Sequence, residues 1–236
     1  MKTFSKIIFL LIFSACISGC SVFCTEGTGS IETETRNLED FKNIVLDLSA
    51  DVTVVKGQPA KAEIQTYRNL LEKIETKTSR GKLKITSDGC VSATEKIKIK
   101  ITLPELEGLQ INGSGNIMVP DTFMVDKINM EINGSGDISA SLVAAKAESE
   151  IHGSGNIILT GSADINNIDI MGSGNFKAQN LPCNESTIDI KGSGDVYVYT
   201  IKNLEIDLAG SGTVHYKGKP RVQSDVKGSG KVIDEN

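Results

Sequence analysis

The sequence predicts an all-β chain wound as a parallel β-solenoid, with coils of about 20 residues and a less regular N-terminal part. Two observations carry this. Gly-Ser-Gly occurs seven times, its first glycine at 113, 134, 153, 172, 192, 210 and 228, so successive intervals are 21, 19, 19, 20, 18 and 18 residues. The flanks repeat too. Two residues before each first glycine stand Ile111, Ile132, Ile151, Ile170, Ile190, Leu208 and Val226, and four residues after it stand Ile117, Ile138, Ile157, Phe176, Val196, Val214 and Val232. Apolar residues at period two around these positions mark strands with one buried face. One such unit cannot bury that face alone, but stacked units join their faces into a continuous core.

Before the repeats, Lys2 and Lys6 precede an apolar run from Ile7 to Phe13, and small residues lead to Ile17-Ser18-Gly19-Cys20. Residues 1–19 read as a secretory signal. The apolar run is shorter than the ~20 residues of a membrane span. The Ile-Ser-Gly-Cys ending resembles the bacterial lipobox, which implies acylation of Cys20 and a lipid anchor, with residues 20–30 as tether. Several acyl chains on one residue anchor stably where one chain does not. The expected location is the cell envelope, on a bacterial membrane and most naturally the outer one. No acidic run follows Cys20 to specify the leaflet.

Removing the signal takes two lysines from the 25 basic residues, leaving 23 against 30 acidic ones and a net charge of −7. An acidic chain without a basic cluster is a poor nucleic-acid binder. Of the five cysteines, Cys16 leaves with the signal and Cys20 takes the lipid, so Cys24, Cys90 and Cys183 remain. An exported chain forms disulfides. Cys24 with Cys90 is the preferred pair because both flank the N-terminal part, and the spacing matches no zinc pattern.

Residues 31–110 are expected to cap the solenoid. Leu46, Leu48, Val52 and Val54 alternate around Leu48-Ser49-Ala50-Asp51, which stands where Gly-Ser-Gly-Asp stands at 134–137, so this is an early, degenerate coil. A short helix is expected between Asn69 and Glu75, then strands through Leu83, Ile85, Ile97, Ile99, Ile101 and Leu103. Residues 111–236 hold the regular coils: strand, Gly-Ser-Gly corner, strand, loop. Glycine suits the corner through positive φ or because no Cβ obstructs the next coil. If alternation runs through the corner, both glycines point inward and the serine outward, and the polar tail Lys231–Asn236 is expected to blunt the far end.

The segments Thr33-Glu34-Thr35-Arg36-Asn37-Leu38 and Asn69-Leu70-Leu71, with the recurring Gly-Ser-Gly-(Asn/Asp), resemble the head GIN domain family of adhesin-like exported proteins, over roughly residues 30–230. The resemblance implies a right-handed parallel β-helix and no established catalytic residues. Thr213 and Lys231 depart from the usual Asn or Asp.

A solenoid turns equivalent positions into columns. Three residues before each triplet follow Gln110, Glu131, Glu150, Asp169, Asp189, Asp207 and Asp225, so six carboxylates line up. At a rung spacing of ~4.8 Å in water each neighbouring pair repels by roughly 0.9 kcal/mol. Either calcium bridges the rungs, or the column is a solvated stripe that discourages lateral association; the stripe is the preferred reading. A second column, Asn116, Asp137, Asn156, Asn175, Asp195, Thr213 and Lys231, has no neighbouring aspartates and fits a hydrogen-bonded ladder. A phosphate loop would need a helix after the triplet, and a nucleophilic serine a base, yet seven serines share only His152 and His215.

Tyr197 and Tyr199 face outward if Val196 and Val198 face inward, with His215 and Tyr216 one coil on. Exposed aromatics stack on sugars or anchor proteins; ordinary strand composition is the simpler account. The function expected is a non-catalytic, adhesin-like binding or structural module of the envelope, with a glycan or protein as surface partner. The alternative is a polysaccharide-active β-helix enzyme, which needs a local break in the repeat where acid, base and charge stabilisers converge. An assembly accessory would look the same in sequence.

Overall fold

The computed structural model describes residues 24–236; the signal segment and Cys20 lie outside the described residues. Chain order is β1 (Thr25–Glu26), β2 (Ile31–Asn37), β3 (Asn43–Leu46), β4 (Ala50–Lys56), β5 (Lys61–Tyr67), α1 (Arg68–Leu71), β6 (Ile74–Ser79), β7 (Lys82–Ser87), β8 (Val91–Ser92) and β9 (Ile97–Leu103). Then come β10 (Gly108–Gly113), β11 (Asn116–Gly134), β12 (Asp137–Gly153), β13 (Asn156–Gly172), β14 (Asn175–Gly192), β15 (Val196–Gly210), β16 (Thr213–Lys217), β17 (Arg221–Gly228) and β18 (Lys231–Asp234). The chain is a β-solenoid of about seven turns.

From β10 onward each strand pairs parallel with its equivalent one coil later, at the register the repeat predicts. Ile111, Ile132, Ile151, Ile170, Ile190, Leu208 and Val226 stack in one column, and Leu46 of β3 extends it. The column from Ile117 through Phe176 to Val232 is likewise continuous and is extended by Val52. Asp51 pairs with Asn116, so Leu48–Asp51 is indeed the worn copy of the glycine corner. The expected loops are largely absent: β11 runs for 19 residues from one corner to the next. A second bend is taken within the strand, marked by register shifts between Val119 and Phe123 and between Ile158 and Thr160.

The triplet works through backbone. The carbonyl of Gly134 accepts from the N–H groups of Ser154 (2.9 Å) and Gly155 (3.2 Å), and at each later corner the serine N–H donates in the same way to the first glycine of the coil before. The third glycine, as at Gly155, is buried; a Cβ there would lie 2.1 Å from the Gly136 oxygen. The first glycine is only half-buried, which corrects the expectation that both point inward. Its φ is positive at every corner, from 119° to 146°, while the buried positions on either side, as Ile111, Gly115 and Ile117, keep their alternation through the corner. The serines are exposed.

The N-terminal part closes one end with antiparallel strands, β2 on β5, β5 on β9 and β6 on β7. The helix is shorter and earlier than expected, four residues that bury Leu70 and Leu71. Motif residues hold this cap together. Arg36 donates to the carbonyls of Leu71 (2.8 Å) and Ile74 (2.6 Å), satisfying groups that a helix end leaves open. Asn69 donates to the Glu26 carbonyl (2.7 Å) and accepts from the Thr28 N–H (2.8 Å). A Cys24–Cys90 disulfide fastens β1 beside β8.

The opposite end differs from expectation. Lys231–Asp234 does not cover the stack but forms its last rung, β18 on β16. Val222 and Val226 therefore stay 37% and 39% exposed, whereas their partners one coil earlier, Leu204 and Leu208, are at 1% and 0%.

Cys183 lies inside, 1% exposed, and apolar burial pushes its thiol up to about 12. Only a thiolate attacks alkylating reagents. Cys183 is thus expected to stay unlabelled by iodoacetamide for hours in the native chain and to react within minutes in denaturant; mass spectrometry of timed samples reads the difference.

Candidate binding surface

The acidic column forms as predicted, with Gln110, Glu131, Glu150, Asp169, Asp189, Asp207 and Asp225 in unbroken register. Part of its charge is met from within the chain: Met171 and Ala209 stand where Asp169 and Asp207 would need a partner, and Asp169 Oδ1 is buried without a hydrogen bond, but the other four carboxylates have a partner. Two residues along each strand, on the same face, a second column supplies donors and cations: Asn133 donates to Glu131 (2.5 Å), His152 lies 3.6 Å from Glu150, Lys191 is 2.7 Å from Asp189 and Lys227 is 2.8 Å from Asp225. The Lys191 ammonium is held above its ordinary pKa, first by the hydrogen bond to Asp189, with burial opposing it and the charges of Asp189, Asp169 and Asp207 adding to it. Among the described residues no three His, Cys, Asp or Glu side chains converge closely enough to hold one ion.

Where a partner is present it offsets part of the rung-to-rung repulsion. The thermal midpoint is expected to move by less than about 2 °C between millimolar calcium and chelator, since an ion that binds only the folded state would raise it. A larger rise in calcium would establish the bridging role of the column.

The second column is a ladder. Asn116 donates to Asp51 (2.8 Å), the Asp137 N–H to Asn116 (3.1 Å), Asn156 to Asp137 through both side chain (2.7 Å) and backbone (2.9 Å), and Asn175 to Asn156 (2.9 Å). The Asp195 and Thr213 N–H groups continue it to Asn175 and Asp195. Each side-chain oxygen satisfies a donor of the next coil, a structural task that accounts for Asn and Asp here.

Tyr197 and His215, one coil apart, stack with ring centroids 4.4 Å apart and planes 8° from parallel. His215 Nδ1 lies 2.7 Å from Glu235 Oε1. Tyr199 is 38% exposed. It lies in register with Pro182 on one side and Lys217 on the other. The two tyrosines therefore belong to different outer columns, one ring already covered by a neighbour and the other open.

A cleft of about 770 Å³, with no signal in the repeat, lies between the second bend and the 104–107 segment. Its floor carries Met124 and Val143, 78% and 40% exposed and in register one coil apart. Lys42 spans Glu105 (2.7 Å) and Glu107 (2.9 Å) on its wall.

A capped stack of parallel coils with registered polar columns and one open aromatic defines a β-solenoid. The chain belongs to the family described as "putative auto-transporter adhesin, head GIN domain", whose model matches residues 40–220. Its fold is also that of solved structures. A putative adhesin from Bacteroides fragilis superposes with a TM-score of 0.82 at 23% identity, over 89% of this chain and 99% of that one. A putative adhesin from Parabacteroides distasonis gives 0.76 at 23% identity, over 90% and 100%. A putative lipid-binding protein from the same organism gives 0.73 at 22%, over 91% and 100%. No curated protein matches the chain.

Proposed function

We propose that this chain is a non-catalytic, adhesin-like surface module, held to the cell envelope by acyl chains on Cys20 and offering a rigid outer face to a glycan or protein partner. The observation that carries it is the register of the coils around the glycine corners: outward positions there repeat from coil to coil, so the molecule presents extended columns in place of one convergent constellation. Catalysis needs acid, base and stabiliser at a single point, whereas binding across a surface profits from repetition on a stiff frame. The family description supports the adhesin-like reading. Tyr199 is the open aromatic on that face, and Tyr197 with His215 makes a second flat surface beside it.

The test is capture of the mature chain by intact cells, run beside the Tyr197→Ser/Tyr199→Ser double variant. Capture of the wild type with loss in the variant supports the aromatic surface; equal capture removes the tyrosines from the reading, and no capture removes the surface module. Release of reducing ends from envelope polysaccharides would instead favour an enzyme. Anchoring is tested separately, by incorporation of an alkyne-tagged fatty acid that Cys20→Ala abolishes.

A further inference from the structure

The cleft at the second bend has a chemistry of its own. Met124 and Val143 point outward, next to the buried Phe123 and Leu142, and lay an apolar patch one coil apart that solvent reaches beside the 104–107 segment. A flexible thioether beside a branched side chain accepts apolar anchors of varied shape. The volume lies within the range of pockets that enclose a ligand.

Charge selects among such ligands. Four carboxylates line the cleft, Glu105, Glu107, Asp126 and Asp164, against two lysines, Lys42 and Lys127. Both lysines are engaged: Lys42 is shared by the two glutamates, and Lys127 reaches out of the cleft to Glu148 at 2.7 Å. Asp164 accepts only from the neutral Asn184 amide, at 3.1 Å, and Asp126 is exposed. The lining is net negative even when both lysines are counted, and an anionic group would meet repulsion from each wall.

The walls are pre-formed. Leu106, buried to 1% exposure, pins the 104–107 segment to the core, and the floor is part of the continuous sheet. Little ordering is therefore needed on binding, which favours affinity from a modest contact area.

We propose that this cleft binds a basic peptide segment of a partner protein, with an apolar side chain seated over Met124 and Val143 and flanking lysines or arginines at Asp126, Asp164 and the glutamates. The proposal rests on the surface-module reading and names its partner class.

The experiment is fluorescence anisotropy of the purified mature chain with three labelled peptides of equal length, alternating Leu/Lys, Leu/Glu and Ser/Lys. The Leu/Lys peptide is expected to bind, the Leu/Glu peptide to fail, and the Ser/Lys peptide to bind roughly tenfold more weakly. Asp126→Lys with Asp164→Lys should weaken the Leu/Lys complex by roughly tenfold or more, and Met124→Ser by about threefold, while a control double reversal away from the cleft, Glu205→Lys with Asp207→Lys, should change it by less than about twofold. All substituted side chains are exposed, so unaltered melting is expected and confirms that each variant is folded.

Absence of Leu/Lys binding, equal binding of Ser/Lys, or an equal loss in the control variant each overturns the proposal. A chain that cells capture but that ignores the Leu/Lys peptide loses this cleft alone. A chain that cells do not capture loses the broader reading.

Discussion

Gly155→Ala is expected to destabilise the chain by about 3 kcal/mol or more, because the added methyl has nowhere to go. Its Cβ would stand 2.1 Å from the Gly136 carbonyl oxygen and 2.8 Å from Ile132 Cγ2. The nearer atom is backbone, and it belongs to a corner that is hydrogen-bonded to the coils on both sides, so it cannot swing aside as a side chain would. Gly113→Ala makes the control. Nothing lies within 4 Å of a Cβ built there, yet φ is +119°, so only the conformational cost remains, about 1 to 2 kcal/mol. Urea unfolding followed by circular dichroism reads both. A loss at Gly155 no larger than that at Gly113 would mean that the coils make room for the added methyl and that their spacing does not demand glycine there.

The second large effect is expected at Phe176→Ala, at roughly 3 to 5 kcal/mol. Phe176 is fully buried and sits in the column between Ile157 and Val196, where a vacated ring leaves a void that two hydrogen-bonded neighbouring coils cannot collapse to fill. Val232→Ala, in the same column but on the last rung, should cost about 1 kcal/mol or less, since one side of it already faces solvent. The contrast tests the stack itself. Similar losses at the two positions would show that the last coil is covered as fully as the middle ones and would contradict the open end described above.

These two predictions separate what could be read early from what could not. The spacing of the triplet placed Phe176 in the core and the serines outside, because period two and a period near twenty residues are properties of consecutive residues. The same spacing aligned Glu131 to Asp225 before any coordinates. What compensates part of that column lay two residues away, in Asn133, His152, Lys191 and Lys227, interrupted by Met171 and Ala209, so it forms no visible motif. Arg36 and Asn69 belonged to the family pattern, but their work is to close a helix end and hold the first strand, and only the partners Leu71, Ile74, Glu26 and Thr28 reveal it.

The repeat by itself determined that this protein is a parallel stack with an acidic stripe, an Asn/Asp ladder and two outward tyrosines, since regular recurrence admits one way of burying every apolar face. Tertiary structure alone decided how the ends are finished, which way the first glycine turns, and that the 104–107 segment stands beside Met124 and Val143 to make a cleft. Those outcomes depend on contacts between residues far apart in the chain, at the places where the period fails, and a period carries no information about its own interruptions.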